Sequence, residues 1–164
     1  MADGQIDLEV VTPEGVVLRE KVQSLTAPSV DGEFGVLPGH RPLLAALKTG
    51  IVGYVRDGSE VRVAVGAGFV EIYGDRAVLL TDNFSTKEAV DPVQARLDLK
   101  DADTALDAYT GEPGSSEHVE LVRKELWAAA RLTLYGDPPP PTVHTFSESL
   151  AGEHETFAAP AATE

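Results

Sequence analysis

Arg56-Asp57-Gly58-Ser59-Glu60-Val61-Arg62-Val63-Ala64-Val65 is the stretch that decides the fold class. Asp-Gly tolerates positive φ at both central positions of a tight hairpin turn. Beyond that turn Val61, Val63 and Val65 alternate with Arg62 and Ala64, the period of two that gives a strand one buried and one wetter face. Upstream, Ile51 to Arg56 runs into the same turn, so the two segments are expected to pair antiparallel. Downstream, Gly74-Asp75 supplies a second hairpin signal between Phe69 to Tyr73 and Ala77 to Thr81. Further runs at Ile6 to Val11, Val22 to Ala27 and Leu43 to Leu47 are divided by turn residues at the spacing of a sandwich or barrel. Residues 1–84 are therefore expected to form an all-β domain.

After Phe84 the period changes. Asp91-Pro92 is a good helix start, because the carboxylate can cap free amides and proline costs nothing at the first helical position. Ala95, Leu99, Ala102, Leu106 and Tyr109 then recur at spacings of four and three as a narrow apolar stripe. Thr110-Gly111-Glu112-Pro113-Gly114-Ser115-Ser116 breaks that helix and offers a serine cap to the next. Val119, Val122, Leu126, Ala129 and Ala130 form the second stripe, which ends at Tyr135-Gly136. Residues 85–136 thus read as an antiparallel helical hairpin, stripe to stripe. Residues 137–164, with Pro138 to Pro141 followed by a polar, acidic stretch, read as a disordered tail.

Thirteen Lys and Arg against twenty-seven Asp and Glu leave a net charge of −14. That field repels phosphate backbones and anionic lipid surfaces, so neither nucleic acid nor bare membrane is an expected partner. No apolar run approaches the roughly 18 residues of a membrane span, and Met1-Ala2-Asp3-Gly4-Gln5 lacks the basic start and apolar core of a secretory signal. Zero cysteines exclude disulfides, thiolate zinc sites and cysteine nucleophiles.

The search for chemistry finds no cofactor and no catalytic residue. His40, His118, His144 and His154 sit in four contexts, none with the spacing of a metal pair. Gly66-Ala67-Gly68 opens like a dinucleotide fingerprint, but the third glycine position is Glu71 and the segment enters a strand. Ser29 and Asp31 near His40 make no triad by spacing. The unusual stretch is Gly32-Glu33-Phe34-Gly35-Val36-Leu37-Pro38-Gly39-His40-Arg41-Pro42-Leu43-Leu44. Its glycines and prolines prescribe a special backbone path. Two readings stand: a loop turning tightly over the core, or a rigid contact surface.

This stretch, taken with Ala64-Val65-Gly66-Ala67-Gly68-Phe69-Val70-Glu71 and Ala77-Val78-Leu79-Leu80-Thr81-Asp82, closely resembles the epsilon subunit of bacterial F-type ATP synthase, over about Ile6 to Tyr135. Ala67 replaces the usual first glycine of the second motif. The resemblance implies an N-terminal β-sandwich of about ten short antiparallel strands and a C-terminal two-helix hairpin. It also implies a non-catalytic subunit, peripheral on the cytoplasmic face of the bacterial inner membrane, that binds the gamma shaft and the c-subunit ring. Glu33, with Phe34 and Gly35, would face the c ring, and His40 would lie near gamma. An extended hairpin would reach the catalytic alpha/beta head and obstruct hydrolysis, with Arg123, Lys124 and Arg131 as candidate contacts beside the acidic Glu117, Glu120 and Glu125.

Some members bind ATP through a helix-start motif of an aliphatic residue, Asp, two variable residues and Arg-Ala. Here Asp91 is present, Gln94 stands where arginine is expected and Arg96 is displaced by two positions. Two residues rotate a side chain about 200° around a helix, so weak or absent ATP binding is expected. The rival class is a free-standing regulatory module whose hairpin closes over a small ligand.

Overall fold

The computed structural model describes residues 4–140. The strands are β1 Ile6–Thr12, β2 Gly15–Val22, β3 Ser24–Ser29, β4 Gly32–Val36, β5 Leu43–Leu47, β6 Gly50–Arg56, β7 Ser59–Val65, β8 Gly68–Tyr73, β9 Arg76–Thr81 and β10 Phe84–Thr86. A 3-10 turn at Lys87–Ala89 leads to the helices α1 Pro92–Asp107 and α2 Ser116–Tyr135.

Hydrogen bonding orders the strands β10-β7-β6-β3-β5-β8-β9-β1-β2, with β4 paired to β3. The link in the middle is thin, the single register pair Ser29 with Leu47. There the sheet folds over, and Val52, Tyr54, Val63 and Val65 of one half meet Leu8, Val10, Val70 and Leu79 of the other in one buried core. The inward residues alternate with outward ones along β1, β8 and β9, as a two-layer sandwich requires. The decisive turn forms as its dipeptide demands, with Asp57 at φ 50° and Gly58 at φ 74°.

Two expectations change. The strands are antiparallel except where β1 lies parallel to β9, Asp7 to Val11 beside Arg76 to Leu80. The long run of chain between them makes such a pairing possible, which a two-residue hairpin never could. Three strands were also invisible to the alternation test. β2 carries Arg19-Glu20-Lys21 in succession, and its charges are met across the ladder by Glu9 and Asp7. A bulge between Val10 and Val11 further breaks its period. β4 has two glycines where a strand is not expected, yet it pairs with β3 along its whole length. Its turn is tied by Ser29 Oγ, which donates to the Gly32 carbonyl at 2.7 Å and accepts from the Asp31 amide at 3.2 Å. The special stretch therefore opens as a strand. β10 takes the sandwich to Thr86, two residues past the expected boundary.

Asp91 caps α1, its Oδ1 accepting from the amides of Val93 and Gln94 at 3.0 Å each. Ser115 caps α2, accepting from the His118 amide at 3.3 Å. On α2 the single expected stripe is replaced by two faces. Val122, Glu125, Ala128, Ala130, Leu132 and Leu134 are buried, and Val119 is 40% exposed. The reason is that α2 packs against both α1 and the β6–β7 surface. Ala130 and Leu134, with Trp127, cluster with Ala64, Ile51 and Val90, so the hairpin is folded down onto the sandwich. Glu125, one of the acidic residues named beside the candidate basic contacts, is fully buried.

Candidate partner-docking face

The outward residues of β5, β8, β9, β1 and β2 line up across the strands in rows. One row, in register, is Ala46, Phe69, Leu80, Val11 and Val16. Every residue in it is apolar, and Phe69 is 55%, Leu80 48% and Val16 45% exposed. The bulge at Val10 and Val11 brings Val16 opposite Val11 and so extends the row onto β2. Proteins that stand alone in water rarely leave such continuous apolar surface uncovered.

The same face is charged toward its other end. Asp7 pairs with Lys21 at 3.0 Å, and Glu9 meets Arg19 at 3.6 Å and Arg76 at 3.3 Å. One end of the face thus carries these ion pairs together with exposed Glu71, Leu44 and Tyr73, and the other end carries the apolar row.

At the apolar end lies a groove of about 580 Å³, lined by Val11, Leu47, Phe69, Leu80, Asp82 and Arg123 among others. The backbone is fixed there by close approach. A Cβ on Gly68 would stand 1.8 Å from the Leu80 carbonyl oxygen, and one on Gly66 would stand 1.8 Å from Asp82 Oδ1. Ala67, between them, lines the groove.

The residues singled out from the sequence fall in several places. Glu33 is exposed near the start of β4, at the end of the sandwich where Ser29, Leu47 and Gly68 meet in register. Phe34 is partly buried and packs on the core, while Gly35 is exposed and pairs with Thr26. His40 lies at the opposite end, where the Gly39 amide donates to Asp75 Oδ1 at 2.8 Å. Its own amide donates to the Leu37 carbonyl at 3.0 Å. The structure does not bring Glu33 and His40 together.

On the hairpin, Arg123 and Lys124 are exposed. Arg131 is partly buried and engaged, donating from Nη2 to Asp98 Oδ2 at 2.7 Å. That hydrogen bond, followed by one from Gln94, holds the Asp98 carboxyl below the usual carboxylate range. The side chains considered for nucleotide are also occupied. Asp91 caps α1, and Arg96 donates through Nε at 3.0 Å and Nη2 at 2.6 Å to Asp137 Oδ2. Among the described residues no group of three or more His, Cys, Asp or Glu side chains is placed to hold a metal. No helix among them is long and apolar enough to cross a membrane. His144, His154 and the tail from Pro141 lie outside the described residues.

Phe69, Leu80, Val11 and Val16 escaped the sequence reading as a group. The available signal was the unbroken apolar run Ala77-Val78-Leu79-Leu80. A strand with one wet face should alternate, so its outward residues were already apolar.

The family model described as ATP synthase, Delta/Epsilon chain, beta-sandwich domain matches residues 5–87. The ATP synthase epsilon chain of Magnetococcus marinus is 41% identical over 121 residues, 74% of this chain and 86% of that one. The chain belongs to the ATP synthase delta/epsilon family. An epsilon chain from Anaeromyxobacter dehalogenans is 38% identical over 132 residues, 80% of this chain and 98% of its own length. A chain in the Euglena gracilis mitochondrial ATP synthase structure, titled OSCP/F1/c-ring in rotational state 1, shares the fold at a TM-score of 0.64 with 21% identity. It covers 76% of this chain and 78% of that one. The epsilon resemblance read from the motifs and the sandwich-plus-hairpin architecture both stand.

Proposed function

We propose that this epsilon chain is a non-catalytic central-stalk subunit, and that the apolar row is the surface by which it grips the gamma shaft. The observation that carries the reading is the uncovered row Ala46, Phe69, Leu80, Val11 and Val16, beside a sheet region where Asp7, Lys21, Glu9, Arg19 and Arg76 form ion pairs. A rotor subunit needs such a permanent, largely apolar contact to transmit torque, because it must not slip or dissociate during turnover. Glu33, at the tip of the sandwich beyond the row, is assigned to the c-subunit ring, and gamma is assigned to the face itself, from the row to the His40 end. The subunit then sits peripherally at the cytoplasmic face of a bacterial inner membrane and helps couple proton flow to rotation.

The hairpin is the regulatory part of the proposal. In its extended form it would present Arg123 and Lys124 to the alpha/beta head at once, and Arg131 only after parting from Asp98. The ligand-module alternative draws no support from Asp91 and Arg96, whose polar atoms serve the helix cap and Asp137.

Binding of the full chain to the gamma subunit of the same organism tests the reading. Phe69→Glu and Leu80→Glu are expected to weaken binding by at least about a hundredfold, since each puts a charge in a desolvated contact, with the β circular dichroism unchanged. Wild-type affinity in both variants would remove this face as the grip.

A further inference from the structure

The groove at the apolar end of the docking face belongs to two parts of the molecule. Val11, Leu47, Phe69 and Leu80 come from the sandwich, and so does Asp82, whereas Arg123 comes from α2. Arg123 is exposed and enters none of the ion pairs among the described residues. It stands four residues before Trp127, on one side of the helix, and Trp127 packs with Ala130 and Leu134 where the hairpin rests on the sheet. The resting contact therefore decides whether a guanidinium stands at the groove.

A partner covering the groove removes water from Arg123, and an unpaired cation loses solvation it does not recover. A carboxylate restores it best, because its two oxygens match the guanidinium fork. Asp82 at the groove sets the polarity by disfavouring an acidic group on its own side. We propose that the partner segment seated on the apolar row carries a carboxylate that pairs with Arg123, so that partner binding and the folded-down hairpin stabilise each other. This rests on the docking reading above. Its thermodynamic content is reciprocal: a partner that binds the folded-down form more tightly must hold the hairpin down by the same factor.

The test uses the full chain, with the gamma subunit as probe, and takes advantage of Trp127 being the single tryptophan. A 5-fluorotryptophan label at that position reports the resting contact by fluorine NMR without interference from gamma. Arg123→Ala is expected to weaken gamma binding about tenfold, within the range of ordinary coupling between sites, while leaving the free-chain Trp127 signal unchanged. Leu134→Ala, which loosens the resting contact from the other side, should weaken binding too, and the double variant should lose little more than either single one. In the wild type, gamma should shift the Trp127 population toward the folded-down signal; in Arg123→Ala it should not. If Phe69→Glu abolishes binding while Arg123→Ala binds as wild type, the carboxylate pairing is wrong and the docking face stands. If Phe69→Glu binds as wild type, the docking face itself is wrong.

Discussion

Asp98 and Arg131 join the two helices of the hairpin, Oδ2 accepting from Nη2 at 2.7 Å, with the guanidinium 5.7 Å from the centroid of the Trp127 ring. The second carboxylate oxygen accepts from Gln94 Nε2 at 2.7 Å. Both hydrogen bonds favour the charged form, so the folded-state pKa of Asp98 lies below its unfolded value. A depressed carboxyl pKa contributes stability above the unfolded pKa, about 3.9, and loses it as pH falls through the folded one. Acid titration followed by Trp127 emission should show Asp98→Asn looser than wild type at pH 7, with the two curves converging as pH falls below the folded-state pKa. The neutral-pH difference should be within about 1 kcal/mol, since the carboxylate is still partly in water. Parallel curves at every pH would show that the pair does not titrate with the fold.

Gly66, just before β8, and Gly68, its first residue, are expected to fail differently when given a side chain. At Gly68 the obstacle is the Leu80 backbone carbonyl, which the β8–β9 ladder holds in place. At Gly66 the nearest atom is the Asp82 carboxylate, the end of an exposed side chain. Gly68→Ala should cost about 3 kcal/mol or more and Gly66→Ala about 1 kcal/mol. Adding Asp82→Ala should recover most of the second loss and none of the first. Urea unfolding of the four variants measures this directly, and equal rescue at both positions would contradict the geometry.

Leu134 is 5% exposed in a cluster shared by the hairpin and the sheet, separate from the main core. Leu134→Ala should therefore free the hairpin at a cost of about 2 kcal/mol while the sandwich melts nearly as before. A red shift of Trp127 emission at 25 °C, with little change in the β thermal transition, is the expected pair of readings. A sandwich that melts together with the hairpin would show that the two parts form one cooperative unit.

Legibility in the sequence followed the strength of local signals. The Asp57-Gly58 hairpin, the Asp91-Pro92 start and the Ser115 cap are written in adjacent residues, and each forms as expected. β2 and β4 were missed because cross-strand pairing with the strand just before each, not their own pattern, holds them as strands. The docking row was hidden for a related reason: its members are drawn from five strands, and only the register reveals that they are neighbours. α2 misled because a helix that touches two surfaces at once has no single stripe to find.

The parallel seam between β1 and β9 has a bearing on how the molecule is made. Asp7 finds its partner Arg76 only after most of the sandwich has been synthesised, and contacts of such wide sequence separation slow folding. The β1–β2 hairpin must wait as an open-edged piece with Val11 and Val16 uncovered. The growing chain is thus most exposed to strand-edge aggregation before β9 leaves the ribosome, and the surface kept for a partner in the finished protein is completed only when this pairing of wide sequence separation forms.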